Sequence, residues 1–186
     1  NSVAGNTVVG ETALDAAVSG GSNTAVGFQS LTTLTSGSSN TAIGRRSLYL
    51  LTTGSQNTAL GQGSLESTST GSQNTGIGNG ALGTNTTASN NTAIGHNSLH
   101  LNTTGDTNIA VGGLALNVNT TGGANTAVGY NSLGMNSTGN FNTAVGFASL
   151  DANTTANNNT ALGYASLTSN TTGTSNCAVG TNALRD

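Results

Sequence analysis

Two histidines, His96 and His100, stand four residues apart in a chain of 186 residues that has only six acidic side chains and one cysteine, Cys177. Imidazoles spaced i, i+4 share a face only on a helix, and a metal site wants a third ligand. The nearest acid, Asp106, falls elsewhere in the local pattern. No Ser-His-Asp order, carboxylate pair or phosphate-binding loop is present, and the glycine-rich stretch Gly78 to Gly83 is a by-product of a repeat. The residue types therefore predict no catalytic residue, no metal and no cofactor, and a function outside enzymology. Three Arg and no Lys cannot neutralise a phosphate backbone, which excludes nucleic acid as a partner. No run of about 18 apolar residues offers a membrane span. Cys177 has no partner for an internal disulfide and is expected as a small buried side chain. One set of side chains is suited to recognition. Phe28, Tyr130, Phe147 and Tyr164 occupy the same position of their repeats, where they form a possible ligand surface for a glycan or receptor. Folding of the rings over a turn is the plainer alternative.

The elements that hold these residues follow from the period. From Asn6, an Asn recurs every 17 residues to Asn176, without insertion, through eleven units. The consensus is Asn-Thr-Ala-(Val/Ile/Leu)-Gly-x-x-(Ser/Ala)-Leu-x-x-Asn-Thr-Thr-Gly-x-x. The leading Asn, the Gly four residues on (Gly10 to Gly180) and the Leu eight residues on (Leu14 to Leu184) never change within the chain. Such spacing fits a solenoid, in which each unit is one coil and like positions stack about 4.8 Å apart. An insertion would push one coil out of line with its neighbours. Gly, Thr, Ser and Asn in every unit oppose helices. Charged residues are only 5% of the chain and there is no Pro. The prediction is an all-β chain: a β-solenoid or parallel β-roll of about eleven 17-residue coils, in one domain over 1–186. Residues 1–5 form a partial coil, 6–175 ten full coils and 176–186 a partial coil.

Asn-Thr-Ala-Val-Gly alternates as a short strand does. Burying the aliphatic column places Val26, Ile43, Ile94, Val128 and Val145 in the core. Leu31, Leu48, Leu99, Leu133 and Leu150 reach them from a second short strand, and Asn-Thr-Thr-Gly reads as a third short strand and a turn. Stacked amides predict a ladder at Asn23, Asn40, Asn57, Asn91, Asn125, Asn142 and Asn159. On this assignment Ala25, Ala42, Ala59, Ala93, Ala127, Ala144 and Ala161 face outward as an uncharged strip suited to packing against another chain. That strip predicts a homo-oligomer, most simply a trimer about a symmetry axis. A coil that buries both sides of the strand is the alternative.

The stretch Gly-x-x-Asn-Thr-Ala-Val-Gly-x-x-Ser-Leu, as at Gly139 to Leu150, resembles the head repeat of trimeric autotransporter adhesins. Longer units of this kind are also similar to repeats of phage tail-fibre and bacterial surface proteins. The resemblance implies a left-handed parallel β-roll, packed as a trimer and acting as an adhesin. The unit here carries an additional Asn-Thr-Thr segment.

The chain opens at Asn1-Ser2-Val3-Ala4 and closes at Asp186. Absence of an initial Met reads as a processed product or a piece of a longer protein. The two ends read as halves of one coil, which predicts head-to-tail stacking into a filament. Together these features point to a structural subunit of an extracellular or cell-surface fibre, or of a virion fibre. The alternatives are an adhesin or tail-fibre segment binding a surface receptor or glycan, and an ice-binding protein. The facing assignment buries the first Thr column, which disfavours ice and leaves only the outer Thr103-Thr104 columns for it.

Overall fold

The computed structural model describes residues 5–185. It is all-β: eleven three-residue strands, from β1 (Thr7–Val9) and β2 (Thr24–Val26) to β10 (Thr160–Leu162) and β11 (Cys177–Val179), with no helix. All are parallel and follow chain order in a single sheet. The register is one repeat, so that Thr24 pairs with Thr41, Ala25 with Ala42 and Val26 with Ile43. The chain is thus a β-solenoid of about ten turns, and a turn of 17 residues is what makes every pairing residue for residue. The two chain ends expected to form halves of one coil, Asn1 to Ala4 and Asp186, lie outside the described residues.

Only the Thr-Ala-Val segment becomes strand. The second and third strands expected around Leu and Asn-Thr-Thr do not form; those segments are turns and bends that still bond coil to coil. Leu31 N donates to Ser47 O at 3.1 Å, and Thr35 N donates to Thr52 O at 2.8 Å. The reason lies in the backbone. Each invariant Leu has a left-handed φ, for example 51° at Leu31 and 50° at Leu116, which no strand accommodates. A Cβ at such a φ costs about 1–2 kcal/mol. Complete burial of Leu31, Leu48, Leu99, Leu133 and Leu150 offsets it, since burying a Leu is worth about 1.5–3 kcal/mol.

The strand faces the opposite way from the expectation. Ala25, Ala42, Ala59, Ala93, Ala127, Ala144 and Ala161 are fully buried, so they are core and no other chain can reach them. Val26, Val128 and Val145 are half-exposed, and Ile43 and Ile94 are exposed. These five are not core. The coil is thin: with the Leu side chain filling the interior from the opposite wall, the strand has room for a methyl group and no more. The leading Asn lies two residues before the Ala and therefore on the same inner face.

Two amide columns line that interior. In the first, Asn40 Nδ2 donates to Asn23 Oδ1 at 3.1 Å and to Gly54 O at 3.0 Å. Asn40 N also donates to Asn23 Oδ1, at 2.9 Å. A second column begins midway. Asn102 Nδ2 donates to Asn85 Oδ1 at 3.0 Å, and Asn119 Nδ2 to Asn102 Oδ1 at 2.8 Å. The same position holds buried Leu34 and Leu51 in the coils of β2 and β3 and Thr68 in that of β4. The corner glycine satisfies two demands at once. Gly112 has φ 132°, and a Cβ there would lie 2.5 Å from Gly129 O in the next coil.

Candidate functional site

With Ala inside, the outer face of the sheet presents two columns. One is Thr24, Thr41, Thr58, Thr75, Thr92, Ile109, Thr126, Thr143, Thr160 and Cys177; the other is the Val, Ile and Leu column two residues on. Neither contains a charge. Leu60 is 45% exposed and Ile43 38%, so an aliphatic stripe runs along the rod with solvent against it. Hydroxyls outside the sheet are bonded to the neighbouring coil: Thr52 Oγ1 donates to Ser69 O and Thr103 Oγ1 to Thr120 O, both at 2.9 Å. Among the described residues the strand Thr hydroxyls make no such bond, because side chains on a strand stand away from the sheet and its carbonyls. Cys177 sits in this Thr column on β11 and is exposed, contrary to the buried position expected of it, because the Thr column faces out.

The aromatic corner residues are brought together in part. Tyr130 stacks on Phe147 with ring centroids 5.5 Å apart and planes 17° apart, and Phe147 stacks on Tyr164 at 5.5 Å and 12°. The repeat alone produces this column, since one position in three successive coils is aromatic. Each stacked face is occupied by the next ring, so the column offers mainly edges to solvent. Phe28 is also exposed but stands apart, with Glu11 and Arg45 at the same position in the adjoining coils.

His96 and His100 do not converge. His96 is exposed and His100 half-buried, and the His100 Nδ1 lies 2.8 Å from Gly80 O. Among the described residues no three His, Cys, Asp or Glu side chains lie together as metal ligands. Asp106 Oδ1 accepts from Ser89 N at 2.6 Å, a loop contact between coils. The one ion pair among the described residues joins Arg46 Nη2 to Glu66 Oε1 at 3.0 Å, and the same guanidinium lies over the Tyr49 ring, 4.4 Å from its centroid. Asp151 is held above the usual carboxylate range by burial, partly opposed by hydrogen bonds from its own backbone and that of Ala152; its Oδ1 has no partner. No helix is long and apolar enough to cross a membrane among the described residues.

No protein-family model, curated protein or solved structure matches the chain. The physical surfaces therefore carry the functional reading: an uncharged Thr/aliphatic sheet face, and a corner whose side chains vary from coil to coil. Sequence reasoning found both columns but assigned the first to the interior. The buried Asn was the signal that could have corrected it, because a stacked amide column is favourable where water is excluded, and Ala shares its face.

Proposed function

We propose that the chain is a structural segment of an extracellular fibre, in which copies pack side by side on the Thr/aliphatic sheet face. The observation that carries this reading is the unbroken aliphatic stripe, with Ile43, Leu60, Ile94 and Leu162 all exposed. Large uncovered apolar patches mark interaction surfaces, and a stripe with one branched residue per coil fits a second rod of the same pitch. Three copies about one axis would cover every stripe, as the resemblance to autotransporter heads implies. Head-to-tail growth belongs to the same proposal: β11 has an unpaired edge, and Leu184 beside it is 59% exposed. A further coil of this pattern, from this chain or another copy, would complete it.

Analytical ultracentrifugation tests the lateral contact. The chain is expected to sediment as an oligomer at micromolar concentration, and the double variant Ile94→Lys, Val128→Lys as a monomer with an unchanged circular dichroism spectrum. A wild-type chain that stays monomeric at about 100 μM would sink the proposal. Electron microscopy reads the other axis, with lengths in multiples of about 50 Å expected from eleven coils at about 4.8 Å each.

Ice binding is a second reading of the same face. Its support is the outward Thr column with unengaged hydroxyls, repeated in the strict register of the sheet. A thermal-hysteresis assay separates the two. Hysteresis that disappears in Thr75→Lys, from a chain that sediments as a monomer, would favour ice over the fibre.

A further inference from the structure

Regularity makes departures informative, and they cluster at one corner. Two residues beyond the invariant corner Gly, most coils carry a side chain, but the coils of β4 and β5 have Gly63 and Gly80. Five residues beyond it, the coil of β5 has Gly83. A cavity of about 310 Å³ opens there, walled by Gln62, Asn79, Asn97, Glu66 and His100, and the last three lean over the glycines: a Cβ at Gly80 would clash with Asn97 Oδ1. The two ionisable walls have spare valence. Glu66 Oε1 is taken by Arg46, while Oε2 hangs over Gly63, where a Cβ would lie 2.9 Å from it. His100 covers Gly83 and places Nδ1 2.8 Å from Gly80 O. A carbonyl only accepts, so Nδ1 carries the hydrogen and the Nε2 of the neutral ring is an acceptor.

We propose that this notch binds one or two rings of a neutral saccharide. Vicinal hydroxyls both donate and accept, and the lining residues Glu66 and His100 carry two acceptors, Oε2 and Nε2, beside amides at Gln62, Asn79 and Asn97 that do either. An anionic ligand would meet the Glu66 carboxylate, whose only cation, Arg46, is already paired. A volume of 310 Å³ sits at the small end of ligand pockets, about 300–1,000 Å³. The inference deepens the receptor-binding alternative to the plain fibre reading. It does not depend on lateral packing, because the notch lies beyond the corner and off the sheet face.

Saturation-transfer NMR on the intact chain tests it with lactose, maltotriose, cellotriose and chitotriose. At least one is expected to show transfer, with affinity reduced tenfold or more in Glu66→Gln and in Gly63→Asn. Asn suits the second site, since Asn97 and Asn131 hold the same column position at φ 50° and 54°; it fills the notch from a backbone it tolerates. Thermal melts of both variants should match wild type. A Tyr130→Ala, Phe147→Ala variant should bind unchanged. Transfer to none of the four sugars at about 10 mM, binding that survives Gly63→Asn, or binding lost with the aromatic pair would each overturn the assignment. A chain that proves monomeric removes the lateral fibre reading and leaves this measurement intact.

Discussion

Asn108 sits in the middle of the first amide column, fully buried, and its replacement separates what each of its atoms does. Its Oδ1 accepts from Asn125 N at 3.0 Å and Asn125 Nδ2 at 3.1 Å, and its Nδ2 donates to Gly122 O at 2.9 Å. In Asn108→Ala, Gly122 O keeps the Asn119 amide and Asn125 Nδ2 keeps Gly139 O. Asn125 N–H alone is left without a partner. An orphaned buried donor costs about 1–3 kcal/mol, and two further hydrogen bonds are worth about 1 kcal/mol each, so the loss is about 3–5 kcal/mol. In Asn108→Asp the acceptor survives, but an oxygen replaces Nδ2 opposite Gly122 O. The protonated acid can donate there; the carboxylate cannot, and it is desolvated. The folded pKa therefore rises above the unfolded value of about 3.9. A raised folded pKa means that stability is complete below the unfolded pKa and falls as pH rises toward the folded one, by about 1.4 kcal/mol per pH unit. Guanidinium unfolding from pH 4 to pH 7 should show the aspartate variant losing ground to wild type with increasing pH and the alanine variant parallel to wild type. Exposed Thr104→Ala is the control, within about 0.5 kcal/mol of wild type. Parallel curves for wild type and Asn108→Asp, or an Asn108→Ala cost no larger than that of Thr104→Ala, would refute the amide-column reasoning.

Adjacent glycines should respond oppositely. Gly112→Ala puts a Cβ 2.5 Å from Gly129 O at φ 132° and should cost about 3 kcal/mol or more; Gly113→Ala meets nothing nearer than Tyr130 Cδ2 at 3.4 Å and should melt like wild type. Ala148 has φ 49°, so Ala148→Gly should leave stability unchanged or raise it by up to about 1 kcal/mol in thermal denaturation, because relief of the left-handed penalty outweighs glycine's entropy. Asp151 has a raised folded pKa through burial, so its contribution is lost as pH rises, and Asp151→Asn should raise the melting temperature at pH 7 and gain less at pH 3.

The period was readable because stacking forbids insertion, so eleven Asn residues in one register define coils before any coordinate does. Leu31 and its equivalents were readable as core, since an invariant large apolar side chain in a sparse sequence has nowhere else to go. Strand facing was not readable from alternation alone. Period 2 says that Thr24 and Val26 share a side but not which side, and the preference for burying Val over Ala misled because the lumen width, set by Leu, was unknown. The left-handed φ of Leu31 was hidden for a related reason: burial outweighs propensity there. The notch at Gly63, Gly80 and Gly83 left a trace, glycines at otherwise variable positions in consecutive coils, yet its walls come from stacking. Only the coordinates bring Glu66 over Gly63 and His100 over Gly83.

The change of lumen lining along the rod has a thermal consequence. The coils of β2 and β3 close over Leu34 and Leu51, and those from β5 onward over Asn85, Asn102, Asn119, Asn136 and Asn153. Unfolding the first exposes hydrocarbon, with a positive heat-capacity increment of about 0.45 cal/K/mol/Å², whereas polar exposure contributes about −0.26. The Leu-lined coils therefore weaken on cooling while the amide-lined coils keep their enthalpic hydrogen bonds. A single repeat, stacked eleven times, thus yields a rod whose two Leu-lined coils answer to temperature with a different curvature from the amide-lined ones, and cold loosens it first from the β2 end.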